Sequence, residues 1–189
     1  MLEEMDMNDV ELLGSYWTLA GAVHPHSETE YSPFDFRDRV AAAAKAGFKG
    51  IGIKETDLEY ILQRRSLKDM KHIIEDHGMT HVELEFLADW FLDGEKKRKS
   101  DKTKLMLLKA AEALEARHIK AGDFDNQVTP MPKLIQSFAA LCKDAADFGT
   151  HFQGRGGRNP RGDEAFARAR HADVRPGAVR PARKGIDQL

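Results

Sequence analysis

A strand-like run, a loop and an amphipathic helix follow one another four times between Val10 and Gly149, with a glycine closing three of the four helices. The strand-like runs are residues 10–17 (VELLGSYW), 50–55 (GIGIKE), 80–86 (THVELEF) and 118–122 (HIKAG). Between the first two, Ser32, Pro33 and Asp35 offer a helix start, Phe36, Val40, Ala43 and Phe48 fall at helical spacing, and Gly47 closes. After the second strand, residues 57–63 read as a short helical turn. A helix then opens at Ser66, carries Leu67, Met70, Ile73 and Ile74 on one face, and ends at Gly78. A charged loop (GEKKRKS, 94–100) leads to a helix opened by Asp101, and the fourth helix opens at Pro132 or Lys133 and closes at Gly149.

Strands that alternate with helices of this length predict a parallel sheet with right-handed crossovers. A spacing of roughly 35–40 residues suits a (β/α)8 barrel of TIM type, about 250 residues when whole, of which about four units are present here. An open flavodoxin-like sheet is the rival, but it usually places a glycine-rich phosphate loop after its first strand, and none follows Trp17.

The strand faces carry the functional signal. Val82, Leu84 and Phe86 share one side of the third strand, and Glu83 and Glu85 the other. The fourth strand sets Ile119 and Ala121 against His118 and Lys120, and the second sets Ile51 and Ile53 against Gly52 and Lys54. In a barrel the apolar face lies under the helices, and charges on the inner face must meet one another or a ligand at the mouth, beside the C-terminal strand ends. Lys54, Glu85 and Lys120 are therefore the candidate substrate-binding residues, and an internal ion-pair layer without substrate is the competing reading. Trp17, at the end of the first strand, is placed either to stack on a substrate or to pack.

Other constellations are weaker. His24 and His26 flank a proline beside Glu28 and Glu30, but a metal needs a third and fourth ligand that nothing obvious supplies, so a solvated loop is the simpler reading. Asp123 and Asp125 follow the fourth strand and form a carboxylate pair that a divalent cation could use. The 95–99 cluster (EKKRK) reads as solvated, with phosphate capture as the minor alternative.

Composition sets the limits. Hydrophobic residues make up 41% of the 189, enough for a core, and a net charge of −2 exerts no strong pull toward nucleic acid or anionic membrane. The single Cys142 excludes an intrachain disulfide and a cysteine zinc site and points to a reducing compartment. No apolar stretch approaches a membrane span, and the acidic N-terminus lacks a signal-peptide pattern, so the expected location is cytoplasmic.

The chain changes character after Gly149 and Thr150. Residues 1–150 hold 20 Lys and Arg against 27 Asp and Glu, whereas residues 151–189 hold eight Arg, one Lys and four acids with six Gly and three Pro. Such a segment cannot bury enough surface to offset its ordering entropy, and a disordered tail is expected from residue 151. Its one Arg-Gly-Gly element, at residues 154–158, raises a non-catalytic binding module with an RNA-contacting tail as an alternative function.

Three blocks carry a family resemblance: residues 11–53 (ELLGSYWTLAG and SPFDFRDRVAAAAKAGFKGIGI), 79–94 (MTHVELEFLADWFLDG) and 118–150 (HIKAGDF and TPMPKLIQSFAALCKDAADFGT). They resemble bacterial sugar phosphate isomerases and epimerases of the xylose isomerase-like TIM-barrel superfamily. The resemblance implies a divalent metal, Mn²⁺ or Mg²⁺, at the mouth, a sugar or sugar phosphate substrate, and a metal-assisted proton shift between adjacent carbons. It places the metal ligands on strands five to eight, where no position here matches, so no ligand is transferred, and no catalytic residue is assigned. Lys54 stands where the family suggests an aromatic residue; Trp17, Glu85 and Lys120 remain as substrate-facing positions. A metal phosphodiesterase of the abasic-site type belongs to the same superfamily, but it calls for a basic face that the acidic residues 1–150 lack.

The resulting division is an N-terminal extension (1–9), a partial barrel (10–150) and a basic tail unlike the family (151–189). A reading-frame shift after Thr150 in GC-rich DNA would produce such a tail; a genuine extension is the alternative. Four units alone would leave open strand edges, so self-association and an inactive chain are expected.

Overall fold

The computed structural model describes residues 10–122 and 129–155. In chain order the elements are β1 (Leu13–Gly14), α1 (Tyr16–Leu19), α2 (Phe36–Lys45), β2 (Gly50–Lys54), α3 (Glu55–Leu62), α4 (Leu67–Asp76), β3 (His81–Leu87), α5 (Gly94–Leu114), β4 (His118–Gly122), α6 (Met131–Asp147) and β5 (Phe152–Arg155). All strand pairs are parallel, in the order β1-β2-β3-β4-β5. Each crossover therefore steps one strand in the same direction. A doubly wound sheet reverses direction at a switch point; a barrel wall does not.

Local chemistry explains the helix starts. The Asp35 carboxylate caps α2 by accepting the Arg37 N–H at 2.9 Å, and Ser66 and Asp69 form a reciprocal capping box on α4. Phe36, Val40 and Ala43 of α2, Met70, Ile73 and Ile74 of α4, and Phe138, Leu141 and Ala145 of α6 are buried against the outer face of the sheet. That face presents Ile51, Ile53, Val82, Leu84, Ile119 and Ala121, all buried in the same core.

Three elements differ from the sequence expectation. The first strand shortens to Leu13–Gly14, because Val10 and Leu12 stay 45% and 58% exposed, and the aromatic end of the run turns into α1. Trp17 therefore sits in a helical turn rather than at a strand end. The charged 95–99 run is not a loop: α5 begins at Gly94, and its first turns are steadied by Glu95–Lys99 (3.4 Å) and Lys97–Asp101 pairs. Finally, the first residues read as tail form β5. Phe152 faces Ile119 in register and is only 2% exposed, so one large apolar side chain suffices to seat a short strand against β4. No helix among the described residues is long and apolar enough to cross a membrane.

If β5 is part of the cooperative unit, Phe152→Ala lowers unfolding stability in urea by about 3–5 kcal/mol, as for a buried aromatic truncated in a core. A change below about 0.5 kcal/mol, the range of a surface substitution, would show that the strand contributes nothing.

Candidate functional site

The face opposite the core is charged. Parallel register places Lys54 beside Glu85 and Glu83 beside His118, and Lys120 follows two residues after His118 on the same side of β4. The three candidates from the strand pattern, Lys54, Glu85 and Lys120, thus share one face at the C-terminal ends of their strands. Lys54, Glu83 and Glu85 are at most 9% exposed, so these charges are held largely out of water.

Two linked groups compensate them. In the first, Lys120 Nζ donates to Glu83 Oε1 at 2.7 Å and to Glu85 Oε2 at 3.3 Å, and His118 Nε2 lies 2.7 Å from Glu83 Oε1. In the second, Lys54 Nζ donates to Glu55 Oε1 at 2.5 Å, Glu30 Oε2 at 2.9 Å and Thr56 Oγ1 at 3.2 Å. Lys54 thus turns toward α3 and the loop before α2, while Glu85 turns toward Lys120 and α1.

The same carboxylates position backbone. Glu85 Oε1 accepts the Tyr16 N–H at 3.0 Å, and Glu55 Oε2 accepts the Phe86 N–H at 2.8 Å. The Tyr16 hydroxyl donates to the Glu30 carbonyl at 2.8 Å, and the Thr56 hydroxyl donates to the same oxygen at 3.2 Å. Gly52 makes this approach possible. A Cβ there would lie 2.7 Å from Tyr16 N and 3.0 Å from Ser15 Cα, so only a glycine lets α1 rest on the inner side of β2.

Burial raises the Glu83 carboxyl, and the His118 and Lys120 donors more than reverse that, holding it below its ordinary value. Glu30 follows the same logic: burial raises it, and Lys54 and the His26 N–H lower it further than burial lifts it. Burial lowers the Lys54 ammonium, but Glu55 and Glu30 together raise it above the usual lysine value. Burial, and then the nearby Asp57 charge, pushes the Tyr16 hydroxyl well up, so it stays a donor. Glu83, Glu30 and Lys54 are therefore charged at neutral pH.

Trp17 is half-buried and packs edge-on against Tyr16, with ring centroids 5.0 Å apart. Glu30, Glu55, Glu83, His118 and Tyr16 complete the arrangement, although the strand pattern did not single them out. Glu83 and His118 were legible as face-mates of Glu85 and Lys120; Glu30, in a loop distant in sequence, carried no signal. His24 and His26 are exposed, and the backbone N–H of His26 donates to Glu30 Oε1 at 2.8 Å. Asp123, Asp125 and most of the Arg-Gly-Gly element lie outside the described residues. Among the described residues no group of three or more His, Cys, Asp or Glu is arranged to hold a metal ion. Lys120 bridges Glu83 and Glu85, so the inner carboxylates do not fit the divalent metal that the resemblance implies.

The fold recurs in solved structures. A xylose isomerase domain containing protein from Salmonella typhimurium superposes with a TM-score of 0.64 at 9% identity, over 74% of this chain and 54% of that one. The fold is that of the xylose isomerase-like TIM barrels. A fusion of a xylose isomerase-like TIM barrel with 4-hydroxyphenylpyruvate dioxygenase gives a TM-score of 0.61 at 17% identity, over 71% of this chain and 23% of that one. A probable 3-DHS dehydratase, AsbF, involved in petrobactin synthesis in Bacillus anthracis, gives 0.61 at 15% identity, over 86% and 60%. The chain thus spans less than two thirds of each of these three chains. No family model matches the sequence, and no curated protein matches it.

Two outcomes test the layer. Since Glu83 is depressed in the folded state, its contribution to stability is complete above the ordinary carboxylate value of 4.5 and is lost as pH falls through the lower folded value. Stability measured against pH should therefore fall below about 4.5 and fall less steeply in Glu83→Gln; equal slopes would remove Glu83 from the account. Gly52→Ala should cost about 1–3 kcal/mol, as overpacking does, and speed hydrogen exchange at the Tyr16 amide. Unchanged exchange would show that α1 does not depend on Gly52.

Proposed function

We propose that this chain binds a polyhydroxylated small molecule, a sugar or sugar phosphate, at the C-terminal ends of β2, β3 and β4, and that the site belongs to isomerase or epimerase chemistry. The observation that carries the reading is the inner charge layer. Glu30, Glu55, Glu83 and Glu85 face Lys54, Lys120 and His118 there, each held by a short polar contact. A carboxylate has about four acceptor positions, so carboxylates fixed by one or two donors still accept hydrogen bonds from hydroxyl groups. The lysines supply donors for hydroxyl or carbonyl oxygens, and fixed geometry lowers the entropy lost when a flexible polyol is held.

In this proposal Lys54 and Lys120 bind and orient substrate oxygens, Glu85 accepts from a substrate hydroxyl, and Trp17 supplies a flat apolar edge for a sugar ring. The proton shift between adjacent carbons is assigned to no residue of this chain. A divalent metal serving that step would need ligands other than the described residues.

Titration of the full chain with aldoses, ketoses and their phosphates, followed by calorimetry and ligand-observed NMR, tests the reading. At least one such compound should bind, and Glu85→Gln and Lys120→Met should each weaken it roughly tenfold, the scale of one charge-assisted hydrogen bond. Failure of all these compounds to bind, or wild-type affinity in either variant, would defeat the proposal.

A further inference from the structure

A second set of charges lies away from the inner face of the sheet. A cleft of about 190 Å³ opens between the start of α2 and α3, and Arg39, Arg64, Arg65, Asp35, Asp57 and Tyr60 are among its walls. Arg39 is 5% exposed. Its Nη2 donates to Asp57 Oδ2 at 2.7 Å, but Nε and Nη1 are buried without an acceptor. A guanidinium has five N–H donors, and these two nitrogens carry three of them. Native structures rarely leave such buried donors unmatched.

The local charge count points to the ligand's sign. Asp57 is fully buried; its second oxygen accepts the Ser32 N–H at 2.9 Å, so it is held by Arg39 and by backbone. Asp35 accepts from Arg65 Nη2 at 2.6 Å and caps α2 through Arg37 N. Each carboxylate thus holds one arginine. Arg64 is exposed, lies over the Tyr60 ring at 4.6 Å from its centroid, and makes no ion pair among the described residues. Three guanidinium groups face two carboxylates, leaving one positive charge uncompensated. The end of α2 is already occupied by the Asp35 carboxylate, so the excess does not come from the helix terminus.

We propose that this cleft binds a phosphate group, free or on a small phosphomonoester, with Arg39 at its floor and Arg64 at its rim. Planar guanidinium forks match phosphate oxygens bidentately, and arginines converging from separate elements suit a tetrahedral oxyanion better than a flat carboxylate. Nε and Nη1 of Arg39 are closed to bulk water, so binding requires a wall to shift. Phe34 lines the cleft and is 57% exposed, so its ring is a wall that can shift without opening the core. This site does not depend on the polyol reading and stands or falls separately from it.

The test uses the full chain, labelled with ¹⁵N-arginine, titrated with inorganic phosphate and with glycerol 3-phosphate against chloride at matched ionic strength. Saturable binding is expected, with the Arg39 Nε–H resonance shifting along the isotherm. Tighter binding of glycerol 3-phosphate assigns the cleft to phosphorylated small molecules; equal binding assigns it to free phosphate. Arg64→Gln, at an exposed position, should weaken binding roughly tenfold, as for one charge-assisted contact. Arg37→Gln removes the same charge from α2 outside the cleft and should leave binding unchanged. Absence of saturable binding, equal weakening in the two variants, or an Arg39 resonance that does not move would overturn the proposal.

Discussion

Removing an ion from water costs several kcal/mol even after a protein relaxes around it, and the inner face of this sheet carries at least three such ions within a few ångströms of one another. The fold satisfies that constraint by making every inner charge part of a chain of contacts. Lys120 bridges Glu83 and Glu85, Glu85 also holds the Tyr16 amide, and Lys54 gathers Glu30 and Glu55. Removing one partner would strand the other in a poorly hydrated place. The positions of α1, the loop before α2 and the end of β3 all follow from this requirement, since each supplies a donor or acceptor that the strands lack.

A second buried pair does the same for the outer side. Arg39 of α2 meets Asp57 of α3 with both side chains almost fully buried, and Asp57 also receives the Ser32 amide. The loop from Glu30 to Ser32 is therefore tied on two sides. Its Glu30 carbonyl accepts from Tyr16 and Thr56 toward the inner face, and its Ser32 amide donates to Asp57 toward the helices. Hydrogen bonds at Glu30 and Ser32, together with the Tyr31 ring stacked on Tyr60 at 4.0 Å between centroids, fix this loop.

The sequence pattern was most legible where period and burial agree. The fourth strand, His118–Gly122, matches its expected limits because strict alternation over five residues has no helical reading. The first strand was misread because Tyr16 and Trp17 extend an apolar run while belonging to a helical turn; aromatic residues suit both, and what decides is that Tyr16 N reaches Glu85, 69 residues away. The start of α5 was missed because a run of five charged residues resembles a loop until its i,i+4 pairs are drawn. β5 was missed because Phe152 stands alone in a segment of Gly and Arg, and only its neighbour Ile119 makes it a core residue. For the candidate site, alternation identified the face and three of its members. Glu30 and Glu55 remained hidden, since a loop glutamate and a helix-opening glutamate look solvated until the lysine between them is seen.

The two charged regions differ in sign, which bears on what each can accept. On the inner face four carboxylates meet two lysines and a histidine, so the described residues leave a negative excess even if the histidine is protonated. A neutral polyol can enter such a layer by adding hydrogen bonds without changing its charge. A phosphate dianion brought beside Glu83 and Glu85 would meet repulsion in a medium of low polarizability, where like charges interact far more strongly than in water. A phosphorylated sugar would then bind with its hydroxylated end against β2 to β4 and its phosphate held elsewhere. An unphosphorylated sugar needs no such division. The excess of carboxylates along β2 to β4 therefore opposes an oxyanion there more than a neutral hydroxyl-bearing molecule, whereas the arginine-lined cleft carries the opposite excess.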